Sequence, residues 1–214
     1  INSDANLLSQ FTGSLHLKVN FYKDFINAFG IEFPSPLQSS GLLYYNYYII
    51  DSTKFDGRKT YLVRYHPKQL IASPAFDGEM YIDTEDWALK SIKAKMVRGG
   101  NVNWVRDLLY EIDYRRINDS TWFYKSDRMY ADFSLALKDS SNLMSFIGNR
   151  TVEYRDPSFE NVERLDAAAA PVKVLPEANY KDDAYWENQR PYELSQKEKD
   201  IYATILKTPD EEVK

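Results

Sequence analysis

From Tyr110 to Arg115, apolar and charged side chains alternate with a period of two, in phase with Leu108, and this pattern constrains the fold more than any other. Glu111, Asp113 and Arg115 each follow a member of an apolar set. The apolar members are Leu108, Tyr110, Ile112 and Tyr114. Successive side chains of a β-strand point to opposite faces, so the pattern predicts a strand with one buried face.

Similar runs on both sides predict that this strand belongs to a sheet. Residues 76–82, 87–96, 122–137 and 143–154 read as further strands, separated by short polar turns. The register within 122–137 changes partway, which predicts a bulge near Ser126, Asp127 and Arg128. Because the turns are short and sequential, neighbouring strands are expected to pair as an antiparallel meander.

The N-terminal part changes its period. Leu15, Leu17, Val19 and Phe21 alternate with His16, Lys18, Asn20 and Tyr22, which predicts a strand. Phe25, Ile26 and Phe29 then have helical spacing and precede Gly30, which predicts a helical turn. Residues 33–36 contain two prolines and should be extended. Residues 42–50 and 60–66 are predicted to form two strands joined by a turn at Asp56-Gly57.

After Pro157 the composition shifts, and the sequence predicts four regions. Residues 1–160 form a curved antiparallel β domain, and residues 161–194, with their alanine run and prolines, form an extended arm or linker. Residues 195–208 form a C-terminal helix that begins at a capping box, Ser195 to Glu198. Residues 209–214 are a tail. The predicted fold class is mainly β, with a curved antiparallel sheet and one or two helices.

Composition disfavours several classes of function. The net charge of -5, with basic residues scattered among acidic ones, offers no basic footprint for a phosphate backbone, so no nucleic-acid partner is expected. The chain has no Cys and only two His, so neither a metal site nor a cofactor is predicted.

An acidic cluster is the nearest approach to catalytic carboxylates. Its members are Asp77, Glu79, Asp83, Glu85 and Asp86. Two carboxyl groups about 5 to 10 Å apart could serve glycoside hydrolysis. Three of the five fall in a predicted turn, however, where Asp is favoured for local hydrogen bonds. Neither His16 nor His66 has an evident partner for a catalytic triad. We therefore expect that the protein is not an enzyme.

The apolar side chains of the central strands are the remaining candidate site. A large apolar concavity is the default binding-site hypothesis, and this face could bind an apolar or lipid-like ligand. The same face could equally be core beneath a helix or a second sheet. The candidate ligand-binding residues are Leu108, Tyr110, Ile112, Tyr114, Met129, Phe133 and Leu135.

The order of several motifs resembles a known family. The segments "NFYKDFINAFG", "FPSPL", "LLYYNYYIIDS", "FDGEMYIDTEDWALKSI" and "DDAYWENQRPYELSQKE" resemble the middle domain of Gram-negative outer-membrane proteins of unknown function. The resemblance implies an N-terminal carboxypeptidase-regulatory-like β-sandwich and a C-terminal β-barrel in the same chain. The hairpin "FDGEMYIDTEDWALKSI" and the strand "LLYEIDY" that follows it are also similar to the sheet of LolA-type lipoprotein carriers. That sheet is a half-barrel that can hold acyl chains. The start at Ile1, without Met, also predicts that the chain is part of a longer protein.

Two functions follow from this resemblance and the apolar face. The first is a non-enzymatic periplasmic module, attached to an outer-membrane barrel, that binds an apolar or lipid-like ligand on the concave sheet face. The second is a structural or protein-interaction domain that positions the barrel, with a filled core and no ligand. Both imply a location at the periplasmic face of the outer membrane.

Overall fold

The structure is a computed structural model that describes residues 18–69, 73–97, 105–136, 143–159, 181–190 and 192–205. Residues 135, 136, 143–146, 204 and 205 are described by their backbone only. The chain divides into two compact units, Ile1–Pro171 and Val172–Lys214. None of the helices in the described ranges has the length and apolarity that crossing a membrane requires.

The first unit is built from strands. In chain order its elements are β1 Phe25–Ala28, β2 Ile31–Pro34, α1 Gly41–Tyr44, β3 Tyr45–Phe55, β4 Arg58–Pro67, β5 Phe76–Asp83, β6 Leu89–Met96, β7 Val105–Asn118, β8 Thr121–Ala136 and β9 Leu143–Glu153. Strands β3 to β9 form one antiparallel sheet in sequence order, and β1 pairs with β2 in a separate hairpin. The predicted fold class is therefore confirmed: the sheet is antiparallel and does not close on itself.

A bulge in β8 lies next to the predicted position. Asp113 pairs with Ser126, whereas Tyr114 pairs with Tyr124, so Lys125 has no partner on β7. A bulge adds one residue to one strand and resets which side chains share a face. As a result Tyr124 and Asp127 point to the same side of the sheet although they are three residues apart.

The helical turn predicted around Phe25 is wrong, because this segment forms β1. Ile26 and Ala28 are buried, while Phe25 and Asn27 are exposed, which is the alternation of a strand. Its hairpin turn is Phe29-Gly30, with φ of 54° and 75°. Two successive residues with positive φ are typical of the two-residue turn that matches strand twist, and glycine adopts that φ without steric cost.

One face of the sheet, which we call the inner face, carries the core. It bears Tyr65, Phe76, Ile92, Leu108 and Tyr110, each at most 2% exposed. Residues 19–34, which we call the covering segment, pack against it with side chains of their own. Among the covering side chains, all of them at most 6% exposed, are Val19, Phe21, Ile26, Phe29 and Phe33.

Because residue 78 is glycine, the Tyr65 side chain can extend across β5 on the inner face. The hydroxyl of Tyr65 on β4 donates a hydrogen bond to the carbonyl oxygen of Lys93 on β6, at 2.9 Å, across β5. A Cβ atom at Gly78 would lie 1.8 Å from that carbonyl oxygen and 2.7 Å from the Tyr65 hydroxyl. Only glycine leaves room for this contact, which satisfies a hydroxyl that is buried with the ring.

The second unit contains two helices in its described residues, α2 Asp183–Gln189 and α3 Gln196–Ile205. The predicted capping box at the start of α3 is confirmed. The Ser195 backbone N–H donates to Glu198 Oε2 at 2.8 Å, and the Glu198 N–H donates to Ser195 Oγ at 3.4 Å. Helix α2 lies inside the predicted arm. Residues 161–180 and 206–214 are outside the described residues, so the remainder of the predicted region boundaries stays a prediction.

The packing of Phe76 predicts a large cost for its removal. Phe76 stacks on Phe33 with ring centroids 4.4 Å apart and also contacts Phe21 and Tyr110. We expect Phe76→Ala to lower the free energy of unfolding by about 3–5 kcal/mol, measured by urea denaturation. The matched control is Phe25→Ala, whose ring is 45% exposed. Equal losses in the two variants would contradict this account of the core.

Candidate functional site

The structure brings the predicted ligand-binding residues together on the inner face. Tyr110 pairs with Met129 across β7 and β8, and Val105 pairs with Phe133. Six of the seven predicted side chains are at most 3% exposed: Leu108, Tyr110, Ile112, Tyr114, Met129 and Phe133. The seventh, Leu135, lies on β8 opposite Met144, and its side chain is outside the described part of the structure.

Aromatic rings of the covering segment occupy the space above these residues. The rings of Phe29 and Phe133 lie 4.8 Å apart in an edge-to-face arrangement, and those of Phe21 and Tyr110 lie 6.4 Å apart. Such pairs stabilise beyond the area they bury, by about 0.5–1.5 kcal/mol each. The predicted ligand-binding side chains are therefore packed by the chain's own residues.

Within this apolar face lies a buried ion pair that the sequence analysis missed. Arg150 Nη2 on β9 donates to Asp127 Oδ2 on β8 at 2.6 Å, and the two side chains are 12% and 1% exposed. One sequence signal could have found Asp127: it is in phase with Met129, Ala131 and Phe133 on β8. Arg150 gave no such signal, because β9 alternates weakly.

The ion pair is surrounded by tyrosine side chains. Burial raises the pKa of Tyr110, with the nearby Arg150 acting in the opposite direction and Asp127 reinforcing the rise. Burial also raises the pKa of Tyr114, and the neighbouring Tyr124 contributes further. These phenols therefore stay neutral over the physiological range and can donate or accept hydrogen bonds but do not act as phenolate bases or nucleophiles.

The buried Oδ1 atom of Asp127 lowers the stability of the fold. Among the described residues this buried oxygen has no hydrogen-bond partner. Leaving a buried polar atom unsatisfied costs about 1–3 kcal/mol. The sheet thus places charged and polar groups inside its core at the junction of β7, β8 and β9, where an apolar core would be less costly.

The acidic turn after β5 is held by arginines. Asp83 accepts from Arg58 through both oxygens, at 2.8 Å and 2.7 Å, and from the backbone N–H groups of Glu85 and Asp86. Asp86 Oδ2 in turn accepts from Trp122 Nε1 at 2.9 Å and from Arg116 Nε at 3.1 Å. This network ties the turn to β4, β7 and β8, so its geometry serves to hold strand ends together.

The other predicted carboxylates lie in an open groove on the opposite face of the sheet. Asp77 pairs with Arg64 Nη2 at 2.7 Å and with His66 Nδ1 at 2.5 Å. His66 therefore has a carboxylate partner that the sequence analysis did not find. The groove has a volume of about 390 Å³, and its floor includes Glu79, Lys93 and Lys95. His16 lies outside the described residues, within which no group of acidic and histidine side chains has metal-binding geometry.

A third feature is the exposed edge of the sheet. Strand β3 pairs only with β4, so the backbone groups on its other side have no partner strand among the described residues. The middle of β3 and the short helix α1 before it carry apolar side chains that are each between 55% and 73% exposed: Leu42, Leu43, Tyr48, Ile49 and Ile50. The register skips Ile50, which marks a bulge there. An edge strand of this kind can accept an added strand.

Comparison with known proteins places this architecture in a family. Residues 2–145 match the sequence profile described as "Family of unknown function (DUF5686)". The chain belongs to this family. The match covers the covering segment and the strands from β1 to β8, which together build the inner face. No curated protein and no solved structure matches the chain.

The Arg58–Asp83 contact predicts a pH-dependent stability. The Arg58 guanidinium lowers the pKa of Asp83 from 3.8 to about 2. A depressed carboxyl pKa stabilises the fold above the unfolded pKa, and this contribution is lost as the pH falls from about 4 through 2. We expect Asp83→Asn to lower the free energy of unfolding by about 2 kcal/mol at pH 7.

Urea denaturation between pH 7 and pH 2 tests this. The gap between the wild type and Asp83→Asn should close as the pH approaches 2. The control Asp56→Asn removes a carboxylate that is 88% exposed, and we expect little change at any pH. A gap of constant size down to pH 2 would show that Asp83 does not titrate as the structure implies.

Proposed function

We propose that the β domain is a non-enzymatic structural or protein-interaction module. The observation that carries this proposal is the state of the inner face: the six described side chains of the predicted ligand site are at most 3% exposed and are packed by the covering segment. A carrier for acyl chains needs an open apolar cavity at these positions. The covering segment would have to leave the sheet before a lipid could bind there.

The location forms part of the same proposal. The motif order described above supports a module at the periplasmic face of the outer membrane, between an N-terminal β-sandwich and a C-terminal barrel of the same chain. In that setting a rigid sheet with a filled core can position its neighbours, and it needs neither a catalytic residue nor a cofactor.

The interaction surface that we assign is the β3 edge. Its outer backbone donors and acceptors, which have no partner strand within the described ranges, alternate along an extended strand, and another extended polypeptide can satisfy them in register. The exposed side chains beside it, Tyr48, Ile49 and Ile50, add apolar contact area. We therefore propose that an extended protein segment binds along this edge. The bulge at Ile50 limits continuous pairing to one side of that residue.

A lipid-binding experiment separates this proposal from the carrier function. We expect native mass spectrometry of the purified domain to show no co-purified lipid, and a fluorescent fatty-acid analogue to show no saturable binding. The same titration of a known fatty-acid-binding protein serves as the positive control. Co-purified lipid together with saturable binding would contradict the proposal and restore the concave-face site.

A pair of variants tests the role of the β3 edge. Ile49→Lys combined with Ile50→Lys places two charges on this edge, whereas Ile147→Lys places one on β9, at the opposite edge, where Ile147 is 62% exposed. In the full-length protein, we expect the β3 variant to lower the mass of the detergent-extracted native assembly, and the β9 variant to leave it unchanged. The β3 role is excluded by an unchanged mass in both variants, or by a wild type that runs as a monomer.

A further inference from the structure

Three aromatic rings surround the ammonium group of Lys18. The Lys18 Nζ atom lies 3.8 Å from the ring centroid of Tyr124, 4.8 Å from that of Tyr154 and 5.6 Å from that of Phe123. A cation within about 6 Å of a ring face is attracted by the negative face of the ring. Three rings around one nitrogen form an aromatic cage, and we use that name for Phe123, Tyr124 and Tyr154.

The sheet and the residue that follows it supply the three walls of the cage. Phe123 and Tyr124 precede the bulge on β8, and Tyr154 follows β9 directly, where its N–H donates to the carbonyl oxygen of Lys125 at 3.0 Å. The three rings also contact one another, with centroids between 5.3 Å and 5.9 Å apart. Arg115 Nη2 donates to the Tyr154 carbonyl oxygen at 3.1 Å and holds the third wall. The cage therefore does not depend on Lys18 for its shape.

The electrostatics of the cage favour a cation held by rings. Burial lowers the pKa of Lys18, and the buried Asp127 opposes this effect. Among the described residues, no carboxylate oxygen lies within ion-pair distance of the Lys18 ammonium, so the ring faces compensate for its lost hydration. Asp127, 1% exposed and with Oδ1 unpartnered in the described part of the chain, adds negative potential beneath the cage.

Lys18 reaches the cage from outside the sheet. It precedes the covering segment, and as a residue it is exposed, whereas the three cage residues are half-buried. A neighbouring contact anchors the same stretch, because the Tyr124 hydroxyl donates to the carbonyl oxygen of Val19 at 3.3 Å. The ammonium group can therefore leave the cage through a side-chain movement while the covering segment stays in place.

We propose that Phe123, Tyr124 and Tyr154 form a binding site for a small organic ammonium group, with Lys18 as its intramolecular competitor. Ring faces recognise a positive charge that carries an alkyl shell, which is the chemistry of methylated and quaternary ammonium groups. A tethered competitor acts at an effective concentration in the millimolar range, so external ligands bind weakly until Lys18 is displaced. This site lies apart from the β3 edge and does not rest on the proposed function.

The central experiment is a titration of the whole chain with choline, in which binding is measured by NMR and calorimetry. We expect Lys18→Gln and Lys18→Met to bind choline at least about tenfold more tightly than the wild type, because the competitor is gone. Lys23→Gln removes an exposed lysine of the same stretch and should behave as the wild type. Adding Tyr124→Leu to Lys18→Gln should abolish binding.

The neutral isostere 3,3-dimethyl-1-butanol separates cation recognition from apolar binding. We expect it not to bind to Lys18→Gln, since it has the shape of choline without the charge. Equal binding of the two compounds would overturn the proposal, as would equal choline affinity in the wild type and both Lys18 variants. If the protein binds choline but does not sediment with phosphatidylcholine vesicles, the ligand is a soluble ammonium compound. If it binds choline and also sediments with the vesicles, the ligand is a lipid headgroup. Either result supports the site.

A measurement on the wild type keeps the test independent of the variants' stability. Ring currents should shift the Lys18 Cε protons upfield while the ammonium is in the cage. Saturating choline should return them toward the position of a free lysine. Lys18 protons at the free position in the absence of ligand would show that the cage is not occupied and would overturn the competitor role.

Discussion

The structure depends on the aromatic layer between the covering segment and the inner face of the sheet. An open antiparallel sheet has one apolar face that must be removed from water, and here the chain covers that face itself. Phe33 stacked on Phe76, and Phe21 against Tyr110, join the covering segment to strands that are distant in sequence. The Tyr45 hydroxyl supports the same layer, because it donates to the Pro34 carbonyl oxygen and accepts from the Phe76 N–H.

This layer determines which functions the fold can support. The same side chains that make an apolar face attractive as a binding site also make it a good core, and the choice depends on what lies above them. With the face packed by the chain itself, our proposals rest on two other surfaces, the β3 edge and the aromatic cage. The β3 edge offers backbone hydrogen-bonding groups beside exposed isoleucines, and the aromatic cage at the β8–β9 rim offers ring faces to a cation.

The polar groups within the fold have different roles. Arg58 and Arg116 form ion pairs with carboxylates of the acidic turn and so hold strand ends together, which gives the acidic cluster a structural explanation. The Asp127–Arg150 pair is more costly, because both charges lose water and Asp127 Oδ1 gains no partner in the described residues. Within this pair, the Asp127 carboxylate is the member that acts on the cage, because it opposes the lowering of the Lys18 pKa by burial.

Most of the strand order could be predicted from the sequence, because alternation and turn residues act locally. The period of two from Leu108 to Tyr114, the Asp56-Gly57 turn, the bulge beside Ser126 and the capping box at Ser195 are all set by neighbours in the chain. Local information failed at residues 18–22, which the alternation assigned to a strand but which form none, and at Phe25 to Phe29, where the spacing fits a helical turn as well as a strand. There the positive φ of Phe29 and Gly30 and the apolar surface of the sheet favour a hairpin.

Alternation determines which side chains share a face, but it carries no information about what covers that face. The Arg150–Asp127 pair joins residues 23 apart, and the Tyr124 contact with Val19 joins residues 105 apart. Such partners meet only when the strands are in register and the covering segment has docked. The sequence by itself therefore determined the sheet, its turns and its candidate face, whereas only the tertiary structure decided that this face is filled and that Lys18 lies among three rings.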